Sequence, residues 1–137
     1  MIHTYLTFEG CCEEAIEFYK QALDAKVEML TRFKDSPEPP RPGCDAPQNA
    51  EKVMHAAFRV GETLIMASDG RCSGSPVFQG IALSIAVANV SDAERCFSAL
   101  AAGGQVMMPL EKTFWSPAFG MLSDRFGVPW MVNVVAE

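Results

Sequence analysis

IHTYLTFEGCCEEAIEFYKQALDAKVEML, residues 2–30, is the stretch whose reading decides the fold. Its first seven residues alternate in the manner of a strand. In the next segment Ala15, Ile16, Phe18, Tyr19, Ala22 and Leu23 fall on one side of a helical wheel. Glu13, Glu14, Glu17, Lys20, Gln21 and Asp24 fall on the other, which predicts an amphipathic helix. KVEMLTRF reads as a second strand. Residues 35–50, DSPEPPRPGCDAPQNA, carry five prolines and are expected to form a loop or flap. VMHAAFRV, the turn GE and TLIMAS then read as a hairpin.

The second half of the chain repeats this order. IALSIAVANV predicts a strand, and SDAERCFSALAAGG a helix that opens on a Ser91/Glu94 capping box and closes on Gly103-Gly104. QVMMPL, AFGMLS and VPWMVNVV complete the set of strands. Shifted by 79 positions, Ile2 falls on Ile81, Leu6 on Ile85, Phe18 on Phe97, Ala22 on Ala101, Val27 on Val106 and Met29 on Met108. Past the proline-rich loop the offset becomes 65, which places Leu64 on Pro129, Ile65 on Trp130 and Met66 on Met131. Two βαβββ modules, residues 1–68 and 80–137, account for the whole chain as one domain of α+β class.

Each predicted helix has one apolar face and must cover one face of a sheet. Strand alternation sorts Ile2, Leu6, Phe8, Ile81, Leu83, Ile85 and Val87 toward the helices. His3, Tyr5, Thr7, Ala82, Ser84 and Ala86 point the other way, and these small or polar side chains leave room for a ligand.

With 137 residues, 49% of them hydrophobic, the chain can bury a sizeable core. Its 11 Lys+Arg against 17 Asp+Glu and its charge of -6 offer no basic patch for nucleic acid or an anionic membrane. No apolar run reaches the ~18 residues of a membrane span, and MIHTYLTFEG lacks the pattern of a signal peptide. A cytoplasmic protein is expected. Five cysteines without a C-x-x-C pair argue against a disulfide framework or a zinc cluster. Cys12 and Cys96 are expected in the core, and Cys44 and Cys72 in loops where a reactive thiol is conceivable.

Paired βαβββ modules resemble the vicinal oxygen chelate superfamily of glyoxalase I, bleomycin-resistance proteins and extradiol dioxygenases. YLTFEGCCEEAIEFYKQALDAKVEML, MHAAFRVGETLIMASD and FWSPAFGMLSDRFGVPWMVN resemble its PhnB-like branch. The resemblance implies a curved, cup-like mixed sheet with helices on its convex side, and a homodimer. Members of that branch have carried a 3-demethylubiquinone methyltransferase label. The glycine-rich strand-to-helix turn that binds S-adenosylmethionine in the usual fold has no counterpart in this sequence.

The superfamily's enzymes hold a divalent metal with His, Glu or Gln from the first and last strand of each module. Carried over, the first-strand positions are His3 and Ala82, or a neighbour if the register slips, and the last-strand positions are Met66 and Met131. Of these His3 alone suits a hard or borderline ion, since thioethers favour Cu(I). No metal and no cofactor are therefore expected. A relocated site would draw on His3, His55 and Asp69 or Asp124. The remaining inventory is apolar and polarizable: Met66, Met131, Met108 and Met121, with Phe114, Trp115 and Phe119 in a loop. Tyr5, Ser84 and Asn133 would supply directed hydrogen bonds.

The expected function is the binding of a small aromatic or amphipathic organic molecule at His3, Tyr5, His55, Met66, Ser84, Trp115, Phe119, Met131 and Asn133. Such a ligand should quench Trp115 or Trp130. The alternative is a lyase, isomerase or thiol transferase using a metal or His55 as acid/base. A homodimer with a vestigial pocket is a third reading. Asp69-Gly70 and Asp124-Arg125 are expected to serve as turns, with Arg125 a minor candidate for ligand contact.

Overall fold

The computed structural model describes residues 1–37 and 49–135. Most of the proline-rich loop, Cys44 included, lies outside the described residues. The chain forms two compact units, Met1–Pro76 and Val77–Glu137. The first contains β1 (Thr4–Thr7), α1 (Cys12–Leu23), β2 (Lys26–Arg32), a 3-10 turn at Phe33–Asp35, β3 (Val53–Val60) and β4 (Thr63–Ser68). The second contains β5 (Leu83–Val87), α2 (Val90–Ala101), β6 (Gln105–Glu111), β7 (Phe119–Ser123) and β8 (Pro129–Val134).

Each unit builds one open, four-stranded mixed sheet, in the orders β1-β4-β3-β2 and β5-β8-β7-β6. In both, the first strand runs parallel to the last and the other pairs are antiparallel. The register repeats residue for residue. Thr4 pairs with Ile65, Tyr5 with Met66 and Leu6 with Ala67, while Leu83 pairs with Trp130, Ser84 with Met131 and Ile85 with Val132. A bulge also recurs, between Val27 and Met29 and between Val106 and Met108. A bulge on an edge strand twists it away from unwanted pairing.

In the first unit Leu6, Phe8, Phe58 and Ile65 pack with Ile16 and Tyr19 of α1, all buried. Tyr19 anchors the cluster, its ring centroid 6.4 Å from that of Phe8 and 5.9 Å from that of Phe58. In the second unit Leu122, Trp130 and Val132 pack with Phe97 and Leu100 of α2. Each such side chain contributes about 1.5–3 kcal/mol on leaving water. Gly120 lets α2 approach the sheet, since a Cβ there would lie 2.7 Å from Phe97 Cε2.

Three sequence expectations are corrected. Ile2 and Ile81 precede their strands, β1 beginning at Thr4 and β5 at Leu83, and both are exposed. The α2 N-cap is Asn89, whose Oδ1 accepts from Asp92 N at 2.8 Å, so Ser91 and Glu94 form no capping box. Cys72 is disulfide-bonded, which removes the free loop thiol expected there and the argument against disulfides.

Asp69 and Asp124 are more than turn residues. Asp69 is buried, and its Oδ1 accepts from Gly10 N at 2.9 Å and Cys12 N at 2.8 Å. Its Oδ2 accepts from Val53 N at 2.8 Å, so one carboxylate ties the end of β4 to the start of α1 and of β3. Asp124 Oδ1 accepts from Phe126 N at 2.9 Å and Val128 N at 3.1 Å, and Oδ2 from Trp130 Nε1 at 2.9 Å. The two are not counterparts: Asp69 follows β4, whereas Asp124 follows β7. Arg125 donates to Ala102 O, which ties it to the end of α2.

Replacing either carboxylate strands two buried donors and one part-buried one. Asp69→Ala and Asp124→Ala should each cost about 3–5 kcal/mol in urea unfolding, whereas Arg125→Ala should cost under about 1 kcal/mol. Burial raises the pKa of the Cys12 thiol above its ordinary 9.0, with the Asp69 carboxylate adding to the effect. The unfolded chain therefore releases this proton as the pH rises past 9.0 while the folded chain retains it. Folding stability should fall above that pH, and Cys12→Ala should flatten the decline in a pH series of urea titrations.

Candidate functional site

One helix covers one face of each sheet, and strand parity assigns the residues of the other. In the first unit a row across the helix-free face runs Tyr5, Met66, Ala57, Met29. The neighbouring row contains Thr31 paired with His55. Tyr5 Oη lies 3.3 Å from His55 Nδ1, with the rings stacked at a centroid distance of 5.7 Å and an interplanar angle of 28°. Tyr5 is 47% exposed, so the pair is open to solvent. His3 precedes β1 and is exposed, apart from this pair.

In the second unit one row runs Ser84, Met131, Met121, Met108, and the next Ala86, Asn133, Phe119, Glu111. Four of the sequence-predicted ligand residues of this unit, Ser84, Met131, Asn133 and Phe119, therefore share one face. The fifth, Trp115, joins them from the loop before β7, with its ring 5.4 Å from Phe119 and Phe114 4.9 Å beyond it. That loop is fixed at its base. Thr113 N donates to Ser116 O at 2.9 Å, and Ser116 N donates to Thr113 Oγ1 at 3.1 Å. The buried Ser116 hydroxyl lies 2.8 Å from the carbonyls of both Ala118 and Val134, and so joins the loop to the end of β8.

Asn133 is the polar group of this face. Its Oδ1 is shut off from solvent and has no hydrogen-bond partner among the described residues. A buried acceptor left unpaired costs about 1–3 kcal/mol, so it marks where a donor belongs. Sequence reasoning found Asn133 through its place on the last strand. It missed Glu111, which pairing brings opposite Phe119, and Ser116, whose burial depends on contacts remote in sequence.

Trp130, expected to report on a ligand, faces α2 instead: it is buried and bonded to Asp124. The thiols are poor nucleophiles, since burial raises the pKa of Cys11, Cys12 and Cys96. The residues present do not fit a divalent metal. Of the residues that the resemblance points to, His3, Ala82, Met66 and Met131, the first two precede their strands, and neither alanine nor a thioether suits such an ion. Asp69 and Asp124, the carboxylates of a relocated site, are engaged by backbone N–H groups and the Trp130 indole. Among the described residues, no three His, Cys, Asp or Glu side chains group as metal ligands would. S-adenosylmethionine fits no better: the connection before α1 holds one glycine, Gly10, and that before α2 none.

The protein family described as 3-demethylubiquinone-9 3-methyltransferase matches residues 1–133. Protein YjdN of Escherichia coli K12 is 37% identical over 140 residues, covering 97% of this chain and 94% of its own. The structure of protein PA1353 from Pseudomonas aeruginosa is 43% identical with a TM-score of 0.86, covering 100% of this chain and 98% of that one. A PhnB protein from Bacillus cereus is 29% identical with a TM-score of 0.80, covering 98% of each chain. At 17% identity and a TM-score of 0.63, a glyoxylase/bleomycin resistance protein/dioxygenase domain from Frankia shares the fold, covering 99% of this chain and 97% of its own. The chain belongs to the PhnB-like family that bears the 3-demethylubiquinone-9 3-methyltransferase description, and it shares its fold with a glyoxylase/bleomycin resistance protein/dioxygenase domain.

Proposed function

We propose that this PhnB-like protein binds a small aromatic or amphipathic organic molecule on the helix-free face of its second unit, with no metal among the contacts. The observation that carries this reading is the solvent-shielded, unpartnered Asn133 Oδ1 beside Phe119 and Trp115. Apolar, deformable walls with a few directed polar groups are what small-molecule sites offer. Met131, Met121 and Met108 supply thioethers that adapt to irregular shapes and contact rings favourably. A homodimer in the cytoplasm belongs to the same proposal. Exposed apolar side chains on the edge strands, Val27 and Met29 of β2 and Val106, Met107 and Met108 of β6, support association, which sedimentation would read.

A second reading rests on the Tyr5–His55 contact. An imidazole bonded to a phenol can move a proton near neutral pH, which favours a His55-assisted lyase, isomerase or thiol transferase.

Titration with naphthol should quench the half-exposed Trp115 saturably, and Trp115→Phe should abolish the change while the buried Trp130 stays silent. Chelator treatment followed by Ni, Zn or Mn reconstitution should leave the affinity unchanged. Absence of saturable quenching by aromatic and amphipathic probes, or binding that appears only with metal, would overturn the reading. A reaction that His55→Ala and Tyr5→Phe both abolish would establish the second.

A further inference from the structure

Resting on the proposed organic-binding site of the second unit, we infer the chemical class of its ligand: a planar heteroaromatic ring, neutral or cationic, presenting adjacent hydrogen-bond donor and acceptor atoms toward Asn133. Three features of that face converge on it. The first is the Asn133 amide. Its Oδ1 needs a donor from the ligand, and its Nδ2, on the same carbon, carries N–H donors. The complement of such an edge is an N–H next to a carbonyl or ring nitrogen, held by two antiparallel bonds. This is the geometry by which Asn reads adenine. A hydrocarbon would leave Oδ1 shielded and still unpaired.

The second feature is shape. Phe119 stands directly opposite Asn133 on the neighbouring strand, and Trp115 meets Phe119 edge to face at an interplanar angle of 65°. On the other side of Asn133 in the same row is Ala86, whose side chain is a single methyl group. A flat ring bonded to the amide would have aromatic surface on one side and only a methyl group on the other. A sugar would satisfy the oxygen and waste the rings.

The third is charge. Glu111, paired with Phe119, is the one charged residue in the four strands of this unit. The strands therefore offer no cation to a carboxylate or phosphate, and a nearby carboxylate favours a neutral or protonated ring.

The test uses Trp115 emission of the whole protein with four probes. Isocarbostyril carries the lactam N–H and C=O. N-methylisocarbostyril has the same ring without the donor. Naphthoate is a flat anion, and the aminoisoquinoline cation presents donors alone. Isocarbostyril should bind about tenfold more tightly than its N-methyl derivative, the worth of one buried hydrogen bond. Naphthoate should bind more weakly than isocarbostyril. In Asn133→Ala the two lactams should bind alike, at the weaker value.

Asn133→Asp, of equal size and with no amide donor, should weaken isocarbostyril and strengthen the aminoisoquinoline cation. It tests the pairing without relying on the alanine variant, and unchanged Trp130 emission checks the fold of both. Equal binding of the two lactams to the unaltered protein, or naphthoate binding as tightly as isocarbostyril, overturns this assignment while organic binding survives. No saturable quenching by any probe overturns both.

Discussion

The parallel pairing of first and last strand in each module is the constraint on which the rest depends. A parallel pair cannot be joined by a tight turn, so the chain must leave the sheet, and the helix that carries it away covers one face. β1 beside β4 and β5 beside β8 therefore set which residues α1 and α2 cover. With one helix per four strands, the opposite face of each sheet stays free of helix. A slip of one residue in either pairing would exchange Leu6 and Trp130 for Tyr5 and Met131.

The duplicated frame is held by different polar devices in its two copies. In the first module Asp69 gathers amides from β1–α1 and β3 around the end of β4. In the second, Asp124 organises the β7–β8 turn and reaches the Trp130 indole. Both carboxylates are saturated by N–H donors, so they contribute to architecture and leave little capacity for chemistry. The helix-free faces share thioethers and have diverged in their other groups: a phenol and an imidazole in one, Phe119 and a carboxamide in the other.

The inner residues of the parallel strand pairs carry no imidazole or carboxylate ligand for a metal: Tyr5 stands beside Met66 and Ser84 beside Met131. A thioether at Met66 and Met131 is a soft, polarizable group that suits a hard divalent cation poorly. The methyltransferase description of the family finds no glycine-rich turn in either strand-to-helix connection of this chain.

Much of this was legible in the sequence. Alternation in IHTYLTF and the helical wheel of residues 11–25 depend on local periodicity, and the offsets of 79 and 65 reappear as identical strand registers. Parity placed Met66, Met131, Ser84 and Asn133 on helix-free faces, because side-chain direction in a strand has a period of two. Other features depend on partners distant in the chain, and local patterns carry no record of them. Ile2 lies before β1 and stays exposed, and Asp69 is captured by amides at Gly10 and Val53. The inward turn of Trp130 needs Asp124 and α2, and the shielding of Asn133 Oδ1 needs packing around it. Sequence alone determined the modules and the faces. Tertiary structure decided which polar atoms are spent on the fold and which is left without a partner, since hydrogen-bond satisfaction depends on distances that only packing sets.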